Sequence, residues 1–202
     1  NLWVLSDDAY YEIRYTDEPP LSIVNLPGMK ERTVILYTFS KRFAMTGWRV
    51  GASIGPKKII DQITRFNIND ESCTNHFIQH ALAETLQESD AYSTIILKEL
   101  KTRRDLCLSI LNSIKGISLP KPESTFYLFP NVTKVMSAKG YGNLDEFRVE
   151  ALKATGVSFC TRHHFGTTKE EETKKYIRLA YSGIDQGDIS AGLIRFKKWL
   201  EG

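Results

Sequence analysis

Short apolar runs open the chain, and later the apolar positions recur every three or four residues. Leu2 to Leu5 is a brief apolar run that stops at Ser6-Asp7-Asp8. The polar stretch after it holds Pro19, Pro20, Pro27 and Gly28 and predicts loop, because proline and glycine interrupt regular structure. Thr33 to Tyr37 predicts a buried strand, since β-branched and aromatic residues run together without alternating polarity. A second short strand is predicted over Val50 to Ile54, stopped by Gly55-Pro56. The period then turns helical. Ile59, Ile60, Ile63 and Phe66 mark one amphipathic helix, and Phe77 to Leu86 another. From about Ser89 to Ile114 the pattern predicts a long helix ended by Lys115-Gly116.

Beyond Pro120 the texture is α+β. Strands are predicted over Phe126 to Phe129, Val157 to Cys160 and Tyr176 to Tyr181, and helices over Leu144 to Ala154 and Gln186 to Leu200. There is no internal repeat and no low-complexity tract. The strand-loop-strand opening predicts the later part of an α/β domain, with the seam between two lobes near residue 100. The expected division is therefore 1–100 and 101–202.

Composition narrows the function classes. The 202 residues carry 27 basic and 24 acidic side chains, a net charge of +3, too small and too dispersed to argue for nucleic acid or a membrane surface. A hydrophobic share of 42% is that of a folded protein. No apolar run approaches the roughly 20 residues that span a bilayer. Cys73, Cys107 and Cys160, odd in number and widely spaced, fit a reducing, cytoplasmic compartment better than a disulfide framework. The opening Asn-Leu-Trp-Val-Leu reads as the interior of a strand, with no initiator Met and no signal-like segment. The expectation is a fragment of a longer protein, with any targeting information outside it.

The most informative stretch is TFSKRFAMTGWRVG, Thr38 to Gly51. A lysine, Lys41, follows a buried strand, where α/β folds put ligands. Eight residues on, Arg49 sits between glycines that let backbone approach an anion closely. A guanidinium can hold a phosphate by two parallel hydrogen bonds, and Thr38 and Ser40 offer hydroxyls to the same anion.

This stretch resembles the lysine signature of class I aminotransferases, which use pyridoxal 5′-phosphate on the aspartate aminotransferase fold. Asp7-Asp8-Ala9-Tyr10 resembles the family's upstream aspartate and tyrosine, PESTFYLFP (Pro122 to Pro130) its small-domain strand, and YIRLAYS (Tyr176 to Ser182) the strand bearing its substrate-binding arginine. Thr38 departs from the more usual Ser or Gly but keeps a hydroxyl. The resemblance implies an α/β fold: the C-terminal part of the cofactor-binding large domain plus the α+β small domain. It implies pyridoxal 5′-phosphate as cofactor and amino transfer between an amino acid and a 2-oxo acid, in a homodimer.

Residue by residue, the resemblance implies that Asp7, with Asp8 as competitor, keeps the ring nitrogen protonated, and that Tyr10 hydrogen-bonds the phenolic oxygen. Lys41 would form the resting Schiff base and move the proton between substrate and cofactor. Arg49, with Thr38 and Ser40, would hold the phosphate, and Arg178 the substrate α-carboxylate. The resemblance covers the later half of the family's chain, so the chain alone is expected to be inactive. A lyase of the same fold, acting on C–S bonds or making a cyclopropane carboxylate, shares these residues, and a non-catalytic binding module is the reading from another class. His76 and His80 have helical i, i+4 spacing, but Phe77 stands where a zinc protease needs glutamate, and no metal site is predicted. Cys160, His163 and His164 lack a fourth ligand. In the family this loop borders the active site, so Arg162 and His164 are candidates to touch substrate.

Overall fold

β-Branched side chains at Thr33, Val34 and Ile35 favour extended backbone, and they begin the central strand of the first sheet. The computed structural model describes residues 2–87 and 89–202, without the side chains of 89 and 90. Strand β1 (Val4–Asp7) lies parallel to β2 (Thr33–Thr38), with Val4 opposite Thr33 and Asp7 opposite Leu36. On the other side of β2, strand β3 (Gly51–Ile54) runs antiparallel, with Gly51 opposite Thr38. A single turn of helix, α1 (Phe39–Arg42), leaves β2; α2 (Lys57–Asp70), α3 (His76–Thr85) and α4 (Ser89–Leu111) follow β3. A Cβ on Gly51 would stand 2.7 Å from the Tyr37 carbonyl oxygen, so only glycine lets the strands close up there. Phe39, Val50, Ile78 and Leu82 are buried together, with Tyr37, Phe43, Met45 and Ala52 packed on them. The core thus grips both ends of the β2–β3 connection and pins α3 to it.

The chain divides into two units, one ending at Lys98 and one running from Glu99 to Gly202. The second contains β4 (Tyr127–Leu128), α5 (Thr133–Ala138), α6 (Leu144–Thr155), β5 (Cys160–Thr161), β6 (Ile177–Ala180) and α7 (Gln186–Glu201). Its sheet has the order β4-β6-β5, both pairings antiparallel. Leu111, Val132, Phe147, Ile177 and Phe196 are wholly buried in this unit. Trp199 packs on Phe147 and Phe196, ring centroids 5.2 and 6.0 Å away, which fastens α7 to α6. Asn143 caps α6 by accepting from the N–H groups of Asp145 and Glu146, at 2.8 and 3.1 Å, and Gly156 ends it at φ 73°.

Some boundaries differ from the sequence reading. α1 and α5 are too short to show a period and were not predicted. β4 stops at Leu128 because Pro130 has no N–H to continue the ladder. The long helix ends at Leu111, and Ile114 is reached by tight turns. Among the described residues, no helix is long and apolar enough to cross a membrane.

Candidate active site

Parallel strands deliver their carboxyl ends to the same sheet edge, and an antiparallel neighbour brings its amino end there too. That edge collects the predicted residues of the first unit. Asp7 is the last residue of β1, and the Asp8 N–H donates to the Leu36 carbonyl at 3.0 Å, which turns the chain over the edge toward Tyr10. Thr38 ends β2 and caps α1, its hydroxyl accepting from the Ser40 N–H at 3.2 Å. Lys41 lies in that one-turn helix, half-buried, next to buried Ser40. Arg49 precedes Gly51, the partner of Thr38, so it stands at the same edge. Its backbone is left-handed, φ 55° and ψ 56°, and its exposed guanidinium donates to the Thr46 carbonyl at 3.1 Å.

Asp7 and Asp8 differ in their surroundings. Asp8 Oδ1 accepts from the Ser6 hydroxyl at 2.7 Å, whereas Asp7 has no side-chain partner among the described residues. Asp7 is exposed, on the same face of β1 as Leu5, itself 67% exposed. Among the described residues β1 is an edge strand, with a neighbour on one side only.

In the second unit Arg178 sits in the central strand β6, opposite Cys160. Its guanidinium packs over two aromatic rings, 4.4 Å from the Tyr127 centroid and 4.5 Å from that of Phe165. One Nη donates to Cys160 Sγ at 3.8 Å. Among the described residues, no carboxylate pairs with it. A cation set against two aromatic rings and left without a counter-charge is a ready site for an anion.

Other candidates prove occupied. Arg162 pairs with Glu172 at 2.8 Å and donates to the Gly166 and Thr167 carbonyls, closing its own loop, and this contact holds the Glu172 carboxyl below its usual range. His164 Nδ1 accepts from the Thr161 N–H at 3.1 Å and completes a cap with the Thr161 hydroxyl. His163 reaches Asp145 at 3.3 Å. His76 and His80 bring their Nε2 atoms to 3.3 Å, but among the described residues no group of three or more His, Cys, Asp or Glu could hold a metal. The sequence reading missed Tyr127 and Phe165 as neighbours of Arg178, although both lie in stretches it singled out.

A family model described as aminotransferase class I and II matches residues 1–195. An aspartate aminotransferase of Pyrococcus abyssi is 34% identical over 90% of this chain and 45% of its own length. An asparagine–oxo-acid transaminase of Streptococcus mutans is 29% identical over 100% of this chain and 50% of its own. The crystal structure of an aromatic aminotransferase from Pyrococcus horikoshii OT3 superposes with a TM-score of 0.87 at 32% identity, covering 99% of this chain and 51% of the other. The chain spans about half the length of the curated relatives it matches. Its two sheets and their helices form part of the class I pyridoxal-phosphate transferase fold, whose enzymes use pyridoxal 5′-phosphate. By the family model, the identities and the shared fold, the chain belongs to the class I and II aminotransferases.

Proposed function

We propose that the chain is the part of a pyridoxal-phosphate aminotransferase that holds the cofactor and the substrate carboxylate, transferring an amino group between an amino acid and a 2-oxo acid. The observation that carries this reading is the shared sheet edge of the first unit. Its donor set suits the cofactor: a carboxylate for the ring N–H (Asp7), a phenol for the ring oxygen (Tyr10), and an amine for the aldehyde (Lys41). Two hydroxyls and a guanidinium remain for the phosphate (Thr38, Ser40, Arg49). The bound cofactor supplies an electron sink for the charge left at the substrate Cα.

Asp7, which among the described residues no other side chain occupies, would keep the proton on the ring nitrogen, because a carboxylate beside it favours the charged form. The Thr38 hydroxyl accepts from Ser40 and still has its own proton to donate to a phosphate oxygen. The Lys41 amine would hold the cofactor aldehyde and, once displaced by the substrate amine, would carry the proton between the substrate Cα and the cofactor. Arg178 grips the α-carboxylate at two points, its plane set by Tyr127 and Phe165. On this reading the first unit belongs to the cofactor-binding domain, the second is the small domain, and the active form is a homodimer. The three cysteines are free, in keeping with the cytoplasm.

Borohydride reduction of the intact protein with pyridoxal 5′-phosphate, followed by peptide mass mapping, should find the pyridoxyl group on Lys41. The Lys41→Ala variant should carry none at that peptide. A pyridoxyl group mapped instead to Lys30 or Lys57 overturns the assignment.

A further inference from the structure

Glu12, Tyr37 and Arg42 come from three segments and meet in one cluster. The Tyr37 hydroxyl donates to Glu12 Oε1. The Arg42 guanidinium donates to the same oxygen at 3.1 Å and to the Tyr37 hydroxyl at 3.2 Å. The pair is shielded, with 14% of the Arg42 side chain and 25% of the Glu12 side chain exposed. Burial, reinforced by the Glu12 hydrogen bond, pushes the Tyr37 phenol up to about 12, so it remains a donor at any physiological pH. The Tyr37 ring meets Phe39 edge-on at 5.1 Å, and Arg42 lies over Phe43 at 5.1 Å, which ties the cluster to the apolar core.

The cluster bridges the two turns that matter to the proposed site. Glu12 lies two residues after Tyr10, and Arg42 directly follows Lys41. A helix of one turn has almost no internal hydrogen bonds to hold its shape, and Ala44, just beyond α1, has a positive φ of 51°. The support of α1 must therefore come from outside it. Glu12 and Arg42 cancel each other's charge, so the cluster acts through geometry.

We propose that Glu12, Tyr37 and Arg42 form a brace that fixes the Lys41 turn against the Tyr10 turn, making Arg42 and Glu12 positioning residues for the Lys41 amine. This rests on the reading of Lys41 as the cofactor-bearing residue. The test uses the intact protein and two measurements. Amide hydrogen exchange, recorded without cofactor, should accelerate about tenfold or more in both 10–13 and 39–43 in Arg42→Gln, with strand amides of β2 and β3 unchanged. Tyr37→Phe, which keeps its ring in the core, should show the same paired effect more weakly. Pyridoxyl labelling should then move several-fold from Lys41 to other lysines in Arg42→Gln, and return to Lys41 in the charge-swapped Glu12→Arg/Arg42→Glu protein. A merely structural role would lower the melting temperature without redirecting the label. Exchange that stays at the wild-type rate in either turn, or a swap that fails to recover labelling, overturns the brace. Wild-type protein that takes no label on Lys41 refutes the functional reading instead, while the exchange measurement still judges the brace.

Discussion

On the proposed reading Arg178, its guanidinium packed over the Tyr127 and Phe165 rings, meets a carboxylate with two donors in one plane. Lysine retains the charge but loses that planar two-point grip. In the intact enzyme Arg178→Ala should cost on the order of 2–5 kcal/mol, or about 30- to several-thousand-fold in kcat/KM for amino-acid and oxo-acid substrates alike, with Arg178→Lys in between. Pyridoxyl labelling of Lys41 should be unchanged; loss of labelling with normal turnover after reconstitution would show Arg178 to be structural. Cys107 offers a separate check. Burial raises its thiol from 9.0 to about 12. Its stabilising effect is therefore whole below pH 9 and lost as pH rises from 9 toward 12, by up to about 1.4 kcal/mol per pH unit, because the unfolded thiol ionises first. Native protein at pH 8 should alkylate at exposed Cys73 and not at Cys107; equal rates at the two would contradict the burial. At this scale the sequence made the motif residues legible, since TFSKRFAMTGWRVG holds hydroxyls, amine and guanidinium within one stretch. Tyr127, Phe165 and Glu12 were not legible in their contacts, because their partners are far away in the chain and tertiary packing alone selects them.

Among the elements, the long ones could be read and the short ones could not. α7 spans enough residues for an apolar period to repeat, and Asp185 marks its start by accepting from the Asp188 N–H at 2.8 Å. α1 has four residues and no period, yet it carries Lys41; its position depends on the Thr38 cap and on what packs beneath it. The end of β4 was visible in Pro130, and the sequence reading overran it. Two element-scale substitutions test these accounts. Asn143→Ala removes the acceptor for two N–H groups of α6 and should cost about 1 kcal/mol in denaturant unfolding. Stability equal to wild type would mean water replaces the cap without loss. Gly51→Ala drives a methyl into the Tyr37 carbonyl and should cost about 1–3 kcal/mol. A variant as stable as wild type would show that β3 can shift without strain.

Over the whole molecule, the first unit leaves apolar side chains in water: Leu2 is 81% exposed, Phe66 73% and Ile54 54%. Apolar surface on this scale, beside an edge strand with unpaired backbone groups, favours self-association. The 202-residue chain expressed alone should sediment as aggregates or oligomers at micromolar concentration; a soluble monomer with full turnover would contradict both this and the expectation that it is inactive. The first sheet also dictates an order of assembly. Thr38 and Gly51, joined by a short connection, can pair early, whereas Asp7 must wait for β2, which begins at Thr33 beyond a long loop. Loop closure over the longer span is slower and pairs the parallel strands last. During refolding, pulsed exchange should protect the amides of β2 and β3 before those of Leu5 and Ser6, and simultaneous protection would refute the sequence of events. On the proposed reading, the side of the edge that would hold the phosphate is then complete while the carboxylate for the ring is still adrift, so a nascent chain could capture an anion before it could activate a cofactor.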